Sequence, residues 1–261
     1  MITALRELYR YRELLAMITY RDIRVKYKQS VMGLLWAVLM PAMVVLAGVT
    51  VKYAYAVATQ QPLAMADVAS VAVKSIPWAF LVGSIRFASL SLIANTSLVT
   101  KVYFPKEVFP FAAVASQFFD LLIASAVLAV FLTLADTGLS WYLCWTPFLL
   151  MILVLQAIGI GTFVAAASLF FRDVKYLVEL FLTFAIFFTP VLYDAELFGS
   201  RREILFLNPV APVLEGFRSV IILHRPPEHL WILYSATLAG VACVASYLFF
   251  KRLEPRFAET V

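Results

Sequence analysis

This sequence predicts an all-α integral membrane protein with six transmembrane helices, and three observations carry that prediction. Of its 261 residues, 63% are apolar and only 14% charged. The apolar residues run in long stretches instead of alternating with polar ones, so the chain needs lipid as its solvent. Val31 to Val51, Trp141 to Phe171 and Trp231 to Phe250 hold no charged residue, and each reaches the roughly 20 residues a helix needs to cross about 30 Å of hydrocarbon. Three further stretches carry one charge apiece: Ile76 to Asn95 with Arg86, Val108 to Ala135 with Asp120, and Tyr176 to Tyr193 with Glu179.

Ahead of the first span, Leu8, Tyr11, Leu15 and Ile18 recur at spacings of three and four, while Arg6, Arg10 and Glu13 take the opposite face. That pattern predicts an amphipathic helix, lying among anionic headgroups on the membrane surface or packed on a partner protein. The segment is too mixed in charge for a cleaved leader. Residues 1–30 thus form a cytoplasmic amphipathic interface segment. Residues 31–261 read as one membrane domain, with no repeat of 20 to 50 residues and no Gly/Ser-rich or Pro-rich linker.

Lysines and arginines set the orientation. Arg6, Arg10, Arg12, Arg21, Arg24, Lys26 and Lys28 make the leading segment the most basic in the chain, which places it in the cytoplasm. Counting crossings from there puts Lys101, Lys106, Arg172, Lys175 and the tail's Lys251, Arg252 and Arg256 on the same side. Fourteen of the 21 basic residues are then inside, and both termini are cytoplasmic. Lys52, Lys74, Arg86, Arg201, Arg202, Arg218 and Arg225 are the exceptions.

The chemistry-bearing motifs are few. No GxxxxGK[ST] phosphate loop occurs, so energy from a nucleotide must come from another chain. His224 and His229 flank Pro226 and Pro227 with no metal-ligand spacing, and no nucleophile motif such as GxSxG is present. Cys144 and Cys243 fall within predicted spans and read as small core residues. No catalytic residue and no metal site is therefore expected. Arg86, Asp120 and Glu179 are costly inside a bilayer and raise a functional question, although Asp120 and Glu179 also suit plain interhelical hydrogen bonding. Asp120 is the nearest acid to Arg86 by depth, so an Arg86 to Asp120 contact is expected. Phe181, Phe184 and Phe188, with Phe187 beside them, make an aromatic face on the fifth span, and Trp36 and Tyr53 lie near the two ends of the first. Such faces either fill lipid contacts or offer ring surfaces to the C–H faces of sugars.

The run Arg21 to Pro41, RDIRVKYKQSVMGLLWAVLMP, resembles the lead into span one of ABC-2 type permeases that export polysaccharides, the family of O-antigen and teichoic acid exporters. Val102-Tyr103-Phe104-Pro105-Lys106-Glu107, Phe171-Arg172-Asp173-Val174-Lys175-Tyr176, Thr189-Pro190-Val191 and Leu207-Asn208-Pro209 through Glu215-Gly216-Phe217-Arg218 resemble further segments of that family, in its order. The resemblance runs from about residue 20 to the end.

That resemblance implies a half-transporter, two copies of which enclose one pathway, each bound to a cytoplasmic ABC ATPase subunit that holds ATP and Mg. No cofactor is expected in this chain itself. It implies a short docking helix between spans two and three, in Asn95 to Pro110, where Lys101, Val102, Tyr103, Phe104, Pro105 and Lys106 would meet the ATPase. Tyr103 and Phe104 would anchor in a pocket and the two lysines would face acidic groups. It also implies short re-entrant helices between spans five and six, in Asn208 to Leu223, with Asn208, Pro209, Glu215, Phe217 and Arg218 closing the outer mouth. The implied substrate is a glycan on a polyprenyl diphosphate, and Trp36, Tyr53, Phe181, Phe184 and Phe188 would line its path. Membrane lipid is the remaining partner, and no nucleic acid is expected. The implied location is a bacterial or archaeal cytoplasmic (inner) membrane. An ABC-2 permease for a small hydrophobic drug or lipid would share this layout. A membrane enzyme of glycan assembly would need a cluster of acids or nucleophiles, and a secondary transporter would need inverted repeats; neither is found.

Overall fold

The computed structural model describes residues 10–28, 30–60 and 62–257; Arg6 and Leu8 of the amphipathic stripe lie outside them. Ten α-helices, with short 3-10 turns between some of them, account for the described chain: α1 Arg12–Tyr27, α2 Leu35–Thr59, α3 Met65–Ser91, α4 Thr96–Lys101, α5 Val108–Leu134, α6 Thr146–Phe170, α7 Val174–Ala185, α8 Arg202–Phe206, α9 Ala211–Ile221 and α10 His229–Leu253. There is no strand among the described residues. Helices α2, α3, α5, α6 with its leading turn, and α10 are long and apolar enough to cross a membrane.

The bundle is built around α3. Its most apolar window is 78% buried and that of α6 56%, against 17% for α5 and 22% for α2 and α10, so α2, α5 and α10 present most of their surface to lipid or to another chain. Close approach depends on missing side chains. A Cβ on Gly159 of α6 would sit 3.0 Å from the backbone nitrogen of Cys243 on α10, and one on Gly48 of α2 would sit 2.4 Å from a Val71 methyl on α3. In lipid, where association gains little from apolar burial alone, such small-residue contacts bring helices together.

Two of the long helices are longer than their apolar runs. Helix α2 begins at Leu35, after Gly33 takes a positive φ of 51°, and continues through Lys52 to Thr59. Helix α3 begins eleven residues before Ile76, where the Asp67 carboxylate accepts from the Ala64 N–H at 3.1 Å and satisfies one of the orphan donors of the first turn. Lys52 and Lys74, which look like boundary charges in the sequence, are inside helices and buried.

The expected fifth span departs most from a simple helix. Helix α7 stops at Ala185 after 12 residues, about 18 Å at 1.5 Å per residue, and turns carry the chain on to Tyr193. Pro190 explains the stop. It has no N–H to give the Ile186 carbonyl, and its ring would clash there in a continuing helix. One residue earlier, the Ala185 carbonyl accepts from the Thr189 hydroxyl at 2.8 Å and the Phe188 N–H at 3.2 Å, closing the last turn.

The two ends of the bundle are distinct. At one, Ile18 of α1 packs with Leu92, Val99, Phe104, Val108, Phe109, Ala165, Phe250 and Phe257, joining α1 to the ends of α3, α5, α6 and α10. At the other end α9, buried along its length, packs against α3, α6 and α10. Phe170 packs against Phe257 with tilted rings at the first end, and Asp194 bonds Lys74 and Lys52 at the second. The chain therefore runs the length of the bundle between Phe170 and Asp194. It does so alongside α3, touching it at Arg86 and again at Lys74. Cys144 is a correction: it lies in the 3-10 turn Trp141–Trp145 ahead of α6 and is exposed, whereas Cys243 is half-buried.

Candidate functional site

The most heavily charged part of the structure is buried. Lys74, wholly shielded, directs its three ammonium N–H groups to the Tyr193 carbonyl at 2.6 Å, Asp194 Oδ1 at 2.8 Å and Glu215 Oε1 at 3.2 Å. Its full donor complement is met. Lys52 of α2 adds bonds to Asp194 at 2.6 Å and Asp67 at 3.0 Å. Ser70 donates to Asp194 at 2.8 Å, and Glu215 accepts from the Ala195 N–H at 3.1 Å. From α9, Arg218 reaches Asp194, Glu215 and Glu196 at 3.2 to 3.3 Å, and Arg225 reaches Glu196 at 2.5 Å.

Four cations thus meet four carboxylates in one network that fastens α2, α3, the 193–196 turn and α9 together. Burial pushes the Asp194 carboxyl up, but Lys74, Arg218 and Lys52 pull harder and hold it well below the usual carboxylate range. Glu196 is lowered in the same sense, burial being outweighed by Arg225 and Arg218.

Glu215 and Arg218 of the expected gate belong to this network. The other gate residues do not touch it through the bonds seen here. Asn208 donates to the Thr189 hydroxyl at 2.9 Å and accepts from the Val210 N–H. The Pro209 carbonyl accepts from Gln156 at 2.8 Å, and Phe217 is buried in the main apolar core. The gate segment is one buried helix, α9, with Pro212 in its first turn, preceded by the short α8. Lys52, Lys74, Asp67 and Asp194 were not foreseen. A signal existed for part of the set, because Asp67, Ser70 and Lys74 recur at helical spacing of three and four inside an apolar run.

At the α1 end, α4 and the turn after it occupy the expected docking position. Tyr103 is 100% exposed, Val102 nearly half exposed, and Lys101 exposed. Two expectations fail here. Phe104 is buried in its own chain, edge-on to Phe109 with centroids 5.5 Å apart. The Lys106 ammonium is also buried, bonding the Val102 carbonyl and lying 4.1 Å above the Phe104 ring. Pro105 is half-buried between them. Burial pushes the Lys106 pKa down, against the charge of Glu254. The outward surface is therefore Lys101, Val102 and Tyr103.

The turn is tied to the last helix. Glu254 accepts from the Lys106 N–H at 2.9 Å, and Lys251 lies 2.9 Å from both Glu254 and Glu107. Glu107 is fully buried, and its one charged partner among the described residues is the Lys251 ammonium, 2.9 Å from Oε1. Burial accordingly raises the Glu107 pKa, against the opposing charge of Lys251.

The expected Arg86 to Asp120 contact is not made. Arg86 instead forms a two-point pair with Glu179, at 2.7 and 2.8 Å, because α7 descends directly beside α3. Asp120 accepts from Lys26 and from the Tyr27 hydroxyl, which ties α1 to α5. Arg86 and Asp120 nonetheless line one cavity of about 450 Å³ between α1, α2, α3 and α5, together with Trp36. Tyr53, Phe181, Phe184 and Phe188 do not line it. All four are well exposed on the outside of the single chain, so the structure does not gather the five predicted path residues within one protomer.

A bundle of long apolar helices, half-exposed to its surroundings and clamped at one end by buried ion pairs, defines a multi-pass membrane protein. The comparisons give its class. Residues 13–222 match the ABC-2 type transporter family, and the chain belongs to that family. It is 26% identical over 264 residues, the full length of both chains, to the O-antigen export system permease protein RfbA of Myxococcus xanthus. Two proteins of the same name from Klebsiella pneumoniae are 26% and 27% identical, over 95% of this chain and 94% of each relative.

Proposed function

We propose that this chain is the permease subunit of an ABC exporter that moves a lipid-linked polysaccharide of O-antigen or teichoic-acid type outward across the cytoplasmic membrane. One observation carries the reading above the rest: likeness to permeases named for O-antigen export runs the full length of the chain. The permease does no bond chemistry in this account. ATP, with Mg, is hydrolysed in a separate ATPase subunit that docks on Lys101, Val102 and Tyr103.

In this reading the α1 end is cytoplasmic, in keeping with Lys101, Lys106, Arg172, Lys175, Lys251 and Arg252 at the helix ends there. The passage from Phe170 to Asp194 is the fifth of six crossings, made by α7 and the turns that follow. Helix α1 lies on the cytoplasmic surface, with Ile18 toward the bundle. Two copies enclose the pathway, and the exposed aromatic faces of α7 and α2, with Phe181, Phe184, Phe188 and Tyr53, would face it together with Trp36. Rings of this kind give weak, sequence-tolerant contact to a sliding glycan. Helix α9 and its ion-pair network close the external mouth.

Deleting the gene in its host and separating lipid-linked glycan on the cytoplasmic side from glycan at the surface tests the reading. Internal accumulation with loss of surface glycan, restored when the permease and its cognate ATPase are both supplied, is the expected result. Unchanged surface glycan with altered tolerance to drugs or lipids would assign a small hydrophobic substrate instead.

A further inference from the structure

The cavity between α1, α2, α3 and α5 has an ordered polarity. Its polar lining, Lys26, Tyr27, Ser30, Arg86, Gln117 and Asp120, comes from the end of α1, the turn after it and the matching level of α3 and α5. Farther from α1 the walls are Met40 and Val44 of α2, Ile76 and Phe80 of α3, and Ala124 of α5. From Arg86 to Ile76 the cavity follows α3 for about 15 Å at 1.5 Å per residue. Its volume of about 450 Å³ lies within the roughly 300–1,000 Å³ of small-molecule sites.

The polar end has donors in surplus. Gln117 is only 5% exposed, and its amide nitrogen has no partner among the described residues. A buried, unpaired donor of this kind is costly unless something accepts from it. Its position is built in: the Gln117 amide lies over Gly83, where an added Cβ would come within 2.4 Å of its oxygen. Arg86 spends two of its N–H groups on Glu179 and retains others. Lys26 has one carboxylate, Asp120, which also takes the Tyr27 hydroxyl. The one acid of the lining is therefore already engaged, while a guanidinium edge and an ammonium line the same space and the buried Gln117 amide lies just behind its wall. Donors grouped at one end of an apolar slot that runs along the helices fit an anionic oxygen-rich head on a single hydrocarbon tail.

We propose that this cavity binds the phosphate end and first isoprene units of an isoprenoid diphosphate lipid, the carrier portion of the substrate. Arg86 donates to the phosphate oxygens, the Gln117 amide turns into the cavity to add its unpartnered N–H, and Met40, Val44 and Phe80 enclose the tail. The assignment rests on the exporter reading for the identity of the lipid, and on the cavity for its place.

The test uses the purified full-length chain in detergent with a polyprenyl diphosphate that carries a photoreactive group near its head. Labelled peptides are mapped after irradiation. Label is expected on α2, α3 and α5 segments that line the cavity, competed by unlabelled polyprenyl diphosphate and not by phosphatidylglycerol. Gln117→Leu should lower labelling about tenfold, as loss of one hydrogen bond to a charged group does. Val44→Trp, which fills the tail slot and leaves the polar head alone, should abolish it if the variant keeps the wild-type elution profile. Equal competition by phosphatidylglycerol would make this a site for bulk anionic lipid and overturn the proposal. Label confined to other helices, or undiminished in Gln117→Leu, would overturn it too. The gene-deletion result is read separately: cavity labelling with unchanged surface glycan on deletion would leave a lipid site and remove the exporter reading.

Discussion

Lys74 and Asp194, 120 residues apart, meet at 2.8 Å in the interior of the bundle, and their contact fixes where the chain arrives after its passage beside α3. The ammonium is wholly buried and the carboxylate nearly so. Removing one member of such a pair leaves the other charge uncompensated, a cost of about 3–5 kcal/mol. Lys74→Met should therefore lower the thermal midpoint of the purified protein by many degrees. Arg202→Ala, which breaks the exposed Arg202–Glu228 pair, should change stability by about 0–1 kcal/mol. Equal shifts for the two variants would contradict the latch.

The pH dependence of that latch follows from Asp194, which lies just beyond the fifth crossing. Its folded-state pKa is depressed by Lys74, Arg218 and Lys52, so its stabilisation is complete above the unfolded value of about 3.9 and is lost as pH falls from there toward the folded value. The difference in thermal midpoint between wild type and Asp194→Asn should stay constant from pH 7 to pH 5 and narrow below about pH 4. A difference that narrowed near neutrality would point to another group.

Arg86 and Glu179 should behave as one unit. Arg86→Met and Glu179→Gln are expected to be non-additive in stability by about 0.5–3 kcal/mol, whereas Arg86→Met and Asp120→Asn should add within about 0.5 kcal/mol. The reverse pattern would restore the contact that depth counting suggested and the structure does not make.

The turn proposed to dock the ATPase separates two adjacent aromatics, Tyr103 outward and Phe104 inward. Tyr103→Ala should leave the thermal midpoint unchanged, since the side chain touches nothing, and should weaken ATPase binding in a pull-down with the cognate subunit. Phe104→Ala should cost about 3–5 kcal/mol, the usual loss for a buried phenylalanine. If Tyr103→Ala bound the ATPase as well as wild type, the docking surface would have to be sought elsewhere.

Much of this architecture was legible from charge-free runs. Helices α6 and α10 follow directly from Trp141 to Phe171 and Trp231 to Phe250, because an uninterrupted apolar segment of that length has few alternatives to a buried or spanning helix. Helix α3 was read too short because Asp67 and Lys74 look like the edge of a span, and their neutralisation depends on Asp194 and Glu215, more than a hundred residues away. The same distance hid the ion-pair network, of which Glu215 and Arg218 were picked out by resemblance and Lys52 and Lys74 were not. The fifth span was read as a plain helix although Pro190 already marked its break. Phe104 and Lys106 were assigned outward from a motif that does not say which of two neighbouring aromatics turns inward. Alternation around a tight turn decides that, and it appears only in three dimensions.

ATP-driven movement of a lipid-linked glycan through this chain can be observed by reconstitution. Vesicles would carry the full-length permease with its cognate ATPase facing outward and a fluorescent lipid-linked glycan in the outer leaflet. The account predicts that adding ATP and Mg moves the glycan to the lumen, where an externally added glycosidase no longer reaches it, and that omitting either subunit abolishes the movement. Protection that appears without the permease, or no protection while the complex hydrolyses ATP and exports another amphiphile, would contradict it.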